Sequence, residues 1–240
     1  MNNELDGWGQ LQSRPMDEAE LQARVGATIS SVYLWMTGAL AITGLVAYWV
    51  AGNTALVRML LGWPFFVLMG IELVLVFALS SAIGRISYGT ALAGFLLYSA
   101  INGVTLCTIF LVYTAASISS TFFIAGAMFG TMALVGHVTK ANLSSLGGYL
   151  LMALIGLIIA GVVNIFLKSS VLDWIVSIAG VLIFVGLSAY DAQKIRQEVE
   201  AAVAMEASDL RKVALMGSLS LYLDFINLFL YLLRLMGRRK

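Results

Sequence analysis

The chain has 240 residues, of which 60% are hydrophobic and 11% charged, with a mean hydropathy of +0.94; ordinary soluble domains carry about 25% charged residues, so this composition is that of a polytopic membrane protein. The formal net charge of +1 provides no concentrated basic face and argues against a nucleic-acid partner. Cys107 is the single cysteine, which excludes an intrachain disulfide and a thiolate metal cluster.

Residues 1–28 are polar and mixed in charge, without the basic start and short apolar core of a cleavable signal peptide. They read as a solvated cytoplasmic leader ahead of a membrane domain at 29–240. Asp17 to Arg24 supports one or two helical turns, with Asp17, Glu18 and Glu20 at the favourable N-terminal end. A window of about 20 residues, enough to cross roughly 30 Å of hydrocarbon as a helix, then predicts seven spans. They cover approximately 29–52, 63–83, 88–112, 117–138, 144–167, 171–191 and 213–236. Each is continuously apolar rather than alternating, so the fold class is all-α, because unpaired strand edges cannot be satisfied in lipid. From Ile29 to Tyr190 the only formal charges are Arg58, Glu72, Arg85, Lys140, Lys168 and Asp173, and most fall between the apolar runs.

The distribution of Lys and Arg sets the orientation. With a cytoplasmic N-terminus, that side holds Arg14, Arg24, Arg85, Lys140, Lys194, Arg196, Arg211 and Lys212, against Arg58 and Lys168 in the opposite loops. The cluster Arg234, Arg238, Arg239 and Lys240 conflicts with this, because seven crossings place it outside. Upstream loops usually dominate orientation, so N-in, C-out is the expected arrangement, although a sixth or seventh segment that re-enters without crossing would remove the conflict. Trp35, Trp49, Trp63 and Trp174 lie near span ends or within a few turns of them, as an interfacial aromatic belt requires.

Asp191 and Asp224 are the most informative residues. A charge at the centre of a span costs about 2.5–3.5 kcal/mol even on the lenient insertion scale, so acids in apolar segments mark candidate functional sites. Asp191 ends the sixth span and Asp224 lies within the seventh, where Gly217, Ser220, Asp224, Asn227 and Tyr231 recur every three or four residues on one helix face. That stripe belongs against protein or a water-filled cavity. Gly217 and Ser220 read as helix-packing residues; a carboxylate is a costly choice for that purpose. Glu72 is 13 residues before Arg85, about 20 Å along a helix, so the two cannot pair, whereas Arg85 and Asp191 share one membrane face and can. Asn102 and Asn164 read as interhelical hydrogen-bonding groups, and His137, beside Lys140, as an interfacial residue.

The stretch GSLSLYLDFINLFLYLLRLMG (217–237), with AYDAQKI (189–195), resembles the signature of the transmembrane Bax-inhibitor-motif family in its bacterial branch. The seven-span layout, Glu72 within IELVLVFAL and the short loop from His137 to Ser144 also match, so the resemblance covers nearly the whole membrane region. It implies a seven-helix fold with the last helix central, a bacterial inner-membrane location and a pH-sensitive calcium leak. It further implies that Asp191 and Asp224 form a hydrogen-bonded, pH-sensing pair, that Arg85 latches one of them, and that Glu72 lies on the conducting path. The thin basic cluster at SSAIGR and a longer loop from Gln197 to Arg211 depart from the family pattern.

The chemistry of the residues agrees. Two carboxylates in one poorly solvated site cannot both ionise cheaply, so they should share a proton and titrate as a unit. Hard cations prefer oxygen ligands, so Glu72, Asp224 and Asn227 suit a transient, partly hydrated calcium path. No tight metal site and no cofactor are expected; calcium is the transported ion, lipids surround the spans, and membrane-protein partners are left open. A proton-coupled transporter would use the same acids, and coupled flux separates it from a leak. An intramembrane aspartyl protease also places acids on two late helices, yet Asp224 lacks a glycine-flanked context, so a non-enzyme is expected. A structural scaffold is the remaining alternative.

Overall fold

The computed structural model describes residues 17–205 and 209–240. Eight helices follow in order: α1 (Glu18–Ala51), α2 (Thr54–Leu60), α3 (Trp63–Ala82), α4 (Tyr88–Val112), α5 (Ala115–Val138), α6 (Ser144–Leu167), α7 (Ser170–Ala204) and α8 (Leu210–Met236). All but α2 are long and apolar enough to cross a membrane. The protein is an all-α membrane protein with seven spans at the predicted places.

Local chemistry explains the breaks. The Asn53 side chain accepts hydrogen bonds from the amides of Ala55 and Leu56 and so starts the short α2, a helix in the connection that carries Arg58 and not a plain loop. Ser87, Thr114 and Ser169 cap α4, α5 and α7 in the same way, each taking up an amide that has no partner inside its helix. Gly62 adopts φ +107°, a conformation that side chains resist, and Pro64 follows at the start of α3.

One expectation needs correction, and one alternative falls away. The segment Gln197–Arg211 is not a long loop, because α7 continues to Ala204. Its polar extension still carries an apolar stripe, Ala192, Ile195, Val199 and Val203, which is buried at helical spacing. Lys194–Glu198 (3.8 Å) and Arg196–Glu200 (2.7 Å) bridge its outer side. Secondly, neither late span re-enters. α7 and α8 are both full-length, so the C-terminus lies on the face opposite the start of α1. There the tail crosses the α4–α5 turn: Thr114 N–H donates to the Arg238 carbonyl (3.0 Å), Lys240 N–H to that of Val112 (2.9 Å), and Arg238 N–H to Ser117 Oγ (3.0 Å). At the other end, residues 18–28 form the first turns of α1 rather than a separate leader, while 1–16, including Arg14, lie outside the described residues.

α8 is the core of the bundle. It packs on α7, α1, α5 and α4, and 67% of its apolar window is buried, against 6% for α3 and for α6. α3 packs chiefly on α4, and α6 on α7. Phe122 and Phe129 of α5 meet Phe225 of α8 edge-on, at 5.3 and 5.6 Å between centroids. α1 and α4 approach closely at Gly103, where a Cβ would lie 2.6 Å from the Thr43 carbonyl oxygen.

Candidate functional site

The polar stripe of α8 faces a cavity of about 590 Å³ between α6, α7 and α8. Ser220, Asp224, Asn227 and Tyr231 line it from α8, and Phe184, Leu187, Asp191 and Lys194 from α7, each set spaced as one helix face requires. Gly147 and Gly148 form part of the α6 wall. Both aspartates of the sequence reading therefore reach one cavity. Asp224 is 5% exposed, and its Oδ2 is buried with no hydrogen-bond partner among the described residues. Such an atom requires a proton, a cation or an ordered water, since a buried acceptor left bare costs about 1–3 kcal/mol and an ionised one more. No hydrogen bond joins Asp191 to Asp224 here, although both side chains line the same cavity. Asn227 turns its amide back to the Leu223 carbonyl (2.8 Å), which leaves its oxygen available to the cavity.

Gly217, grouped with the stripe by spacing, is absent from the cavity lining and packs under Ile195, 3.1 Å from where its Cβ would be. Ser220, expected as a packing residue, lines the cavity instead.

The structure does not bring Arg85 to Asp191. Arg85 is exposed in the α3–α4 turn and forms no ion pair among the described residues, because α3 is held by α4 and stands away from α7. Glu72 likewise lies outside the aspartate cavity. It is half-buried between α3 and α4, where Thr105 Oγ1 donates to its Oε1 (2.8 Å).

A second polar group escaped the sequence reading. Tyr222, two residues before Asp224, points to the opposite side of α8 and is fully buried. Its hydroxyl lies 2.7 Å from Thr43 Oγ1, which is also 2.8 Å from the Ser99 carbonyl and 3.0 Å from that of Ala39. Since Thr43 has one proton and both carbonyls can only accept, Tyr222 donates to Thr43. One turn earlier, Ser218 Oγ reaches the Val32 and Ala214 carbonyls at 2.9 and 2.7 Å. These contacts hold α8 against α1 and α4 and fix its rotation, so that Asp224 faces α6 and α7. The only sequence signal for them was a tyrosine and a serine in register on the face opposite the stripe.

Asn102 and Asn164 do not play the interhelical role expected of them. Asn164 Oδ1 accepts from Ser169 N–H (3.0 Å) in the α6–α7 connection, and Asn102 Oδ1 is buried without a partner. Gln193 of α7 instead makes the polar tie across helices, donating to the Ala141 carbonyl and accepting from Leu143 N–H, both at 2.9 Å.

The family model described as inhibitor of apoptosis-promoting Bax1 matches residues 25–240, from the first turns of α1 to the end of the chain. The chain belongs to the Bax inhibitor family. It is 47% identical over 231 residues to the inner membrane protein YbhL of Escherichia coli (strain K12), covering 94% of this chain and 98% of that one. A Borreliella burgdorferi protein is 42% identical over 214 residues, with 88% and 92% covered. A membrane protein of Streptococcus pyogenes serotype M1 is 42% identical over 168 residues, with 70% and 72% covered. For this Bax inhibitor family member, the matched region contains both helices that carry the aspartates and the entire cavity between them.

Proposed function

We propose that this protein is a pH-sensitive calcium leak of the bacterial inner membrane, with its N-terminus cytoplasmic and no enzymatic activity. The observation that carries the reading is the cavity holding both Asp191 and Asp224, with one Asp224 oxygen buried and unpartnered. Two acids in so confined a space share protons, so the charge facing a passing cation depends on pH. Asp224, Asn227 and Glu72 offer oxygen atoms suited to a weakly held, partly hydrated calcium ion, and no resident cofactor is needed. Glu72, held by Thr105 between α3 and α4, lies outside the aspartate cavity and contributes to conduction without joining the shared titration.

Arg85 enters the reading as a latch only through motion. Because α3 is held chiefly by α4, a swing of α3 disturbs few contacts with the rest of the bundle. In the latched arrangement Arg85 pairs with ionised Asp191 and closes the mouth; protonation of the aspartates weakens that attraction and frees α3. Mild acid therefore opens the path. Strong acid lowers flux again by neutralising the acids that attract calcium, which gives a bell-shaped profile.

Calcium flux into proteoliposomes of the purified protein, recorded from acid to alkaline pH, tests this. Asp224→Asn removes the shared titration and should flatten the profile. If the mutant and parent profiles overlay, the aspartates are not the sensor; if flux is obligatorily coupled to protons, the protein is a transporter and not a leak.

A further inference from the structure

A second cavity, of about 520 Å³, lies on the other side of the bundle between α1 and α5. Its walls are almost wholly apolar: Ile29, Met36 and Leu40 from α1, Phe129 and Ala133 from α5, and Phe225 of α8 as the floor. It is a groove because α5 has glycine at two positions one turn apart. At Gly126 and Gly130 a Cβ would meet no heavy atom within 4 Å, so these glycines are not required for helix packing. A smaller void beside it shares Leu40, Phe122 and Phe225 and continues the apolar surface toward the opposite face. From His137 to Phe122 the groove follows 15 residues of α5, about 22 Å at the rise of a helix. One leaflet of a bilayer is about 15 Å of hydrocarbon. An acyl chain fits along it.

The end of the groove on the N-terminal face is polar. His137 and Tyr33 line it, with their rings 5.9 Å apart. His137 Nδ1 is 3.1 Å from the Ala133 carbonyl, an acceptor, so in the neutral ring Nδ1 carries the proton and Nε2 is an acceptor. Nε2 is buried and has no hydrogen-bond partner among the described residues. Beside it, Arg196 donates through Nη1 to the His137 carbonyl (2.5 Å) and through Nε to Glu200 (2.7 Å). Its Nη2 has no protein partner among the described residues. Lys140, three residues past His137, is exposed and makes no ion pair among the described residues. The rim thus presents a hydroxyl-seeking acceptor that lines the groove, with the Arg196 guanidinium held against the backbone carbonyl of the same residue.

We infer that this groove is a specific site for an anionic phospholipid with a hydroxylated head group: one acyl chain lies between α1 and α5, a head-group hydroxyl donates to His137 Nε2, and the phosphate faces Arg196 and Lys140. The occupant follows from complementarity at both ends. A zwitterionic choline head group has no hydroxyl to donate and adds a cation beside Arg196. A soluble anion has nothing to place against the apolar walls.

Native mass spectrometry of the full-length protein tests the site, using phosphatidylglycerol and phosphatidylcholine with identical acyl chains. The wild type should retain one phosphatidylglycerol at collision energies that strip phosphatidylcholine. Gly130→Leu fills the groove and should lose that retained lipid at least tenfold, while eluting as a monodisperse species. Thr37→Phe, which fills the groove from α1, serves as a second variant if Gly130→Leu does not fold. His137→Ala should keep a bound lipid but lose the preference for phosphatidylglycerol. Equal retention of the two lipids by the wild type, or unaltered retention by folded Gly130→Leu or Thr37→Phe, overturns the inference. Calcium flux is not a readout of this experiment, so its outcome is independent of the proposed leak.

Discussion

The hydrogen bond from Tyr222 to Thr43 predicts an asymmetry between two apparently equivalent mutations. Tyr222→Phe removes the donor; Thr43 still donates to the Ser99 and Ala39 carbonyls, so one net hydrogen bond is lost, about 0.5–1.5 kcal/mol. Thr43→Val removes the acceptor and leaves the Tyr222 hydroxyl on a fully buried side chain with no partner, which costs about 1–3 kcal/mol. Both changes preserve shape, and the Phe95 and Tyr98 rings that meet Tyr222 edge-on, at 5.8 and 5.9 Å, remain in place. The double mutant removes both partners, so it should be no less stable than Thr43→Val alone. Unfolding of the purified protein in mixed micelles, titrated with a denaturing detergent and followed by far-ultraviolet circular dichroism, gives the three differences. The assigned direction of the hydrogen bond is refuted if Tyr222→Phe is the more destabilising single change, or if the two effects simply add.

Gly103→Ala places a methyl against the Thr43 backbone carbonyl at 2.6 Å, where no side chain can give way; it should destabilise by about 1–3 kcal/mol in the same assay. Glu72→Gln retains an acceptor for Thr105, so the fold should persist while calcium conduction falls; its pH midpoint should match the parent, since Glu72 lies outside the aspartate cavity, and a shifted midpoint with full conduction would reverse the roles. Arg85→Ala should raise flux at alkaline pH, where the parent is shut, because nothing else is proposed to hold α3 closed. A mutant that stays shut in liposomes with normal protein incorporation removes Arg85 from gating.

The spans were legible because continuous apolar runs have one solution in a bilayer, and charges between the runs marked most of their ends. The central position of α8 rested on resemblance to the Bax inhibitor family, and the burial of α8 now carries it independently. The extension of α7 was missed for a physical reason. Lys194, Arg196, Glu198 and Glu200 give 192–204 a soluble composition, and a hydropathy window averages away the buried stripe of Ala192, Ile195, Val199 and Val203. A search for helical periodicity, applied after the last apolar window, would have found it.

The candidate site was legible to the extent that charge in an apolar helix is anomalous. That anomaly selected Asp191, Asp224 and Glu72, and the three-to-four spacing placed Ser220, Asn227 and Tyr231 beside Asp224. Neutral polar groups carry no such anomaly, and so Thr43, Ser99, Ser218 and Tyr222 passed as ordinary span residues. Yet these groups decide which way α8 is turned. A rotation of one residue, 100°, would carry Asp224 out of the α6–α7 cavity. The acid that defines the site is therefore aimed by a hydroxyl network on the other side of the same helix, at a tyrosine two residues away, and the two halves of α8 should be tested as a unit.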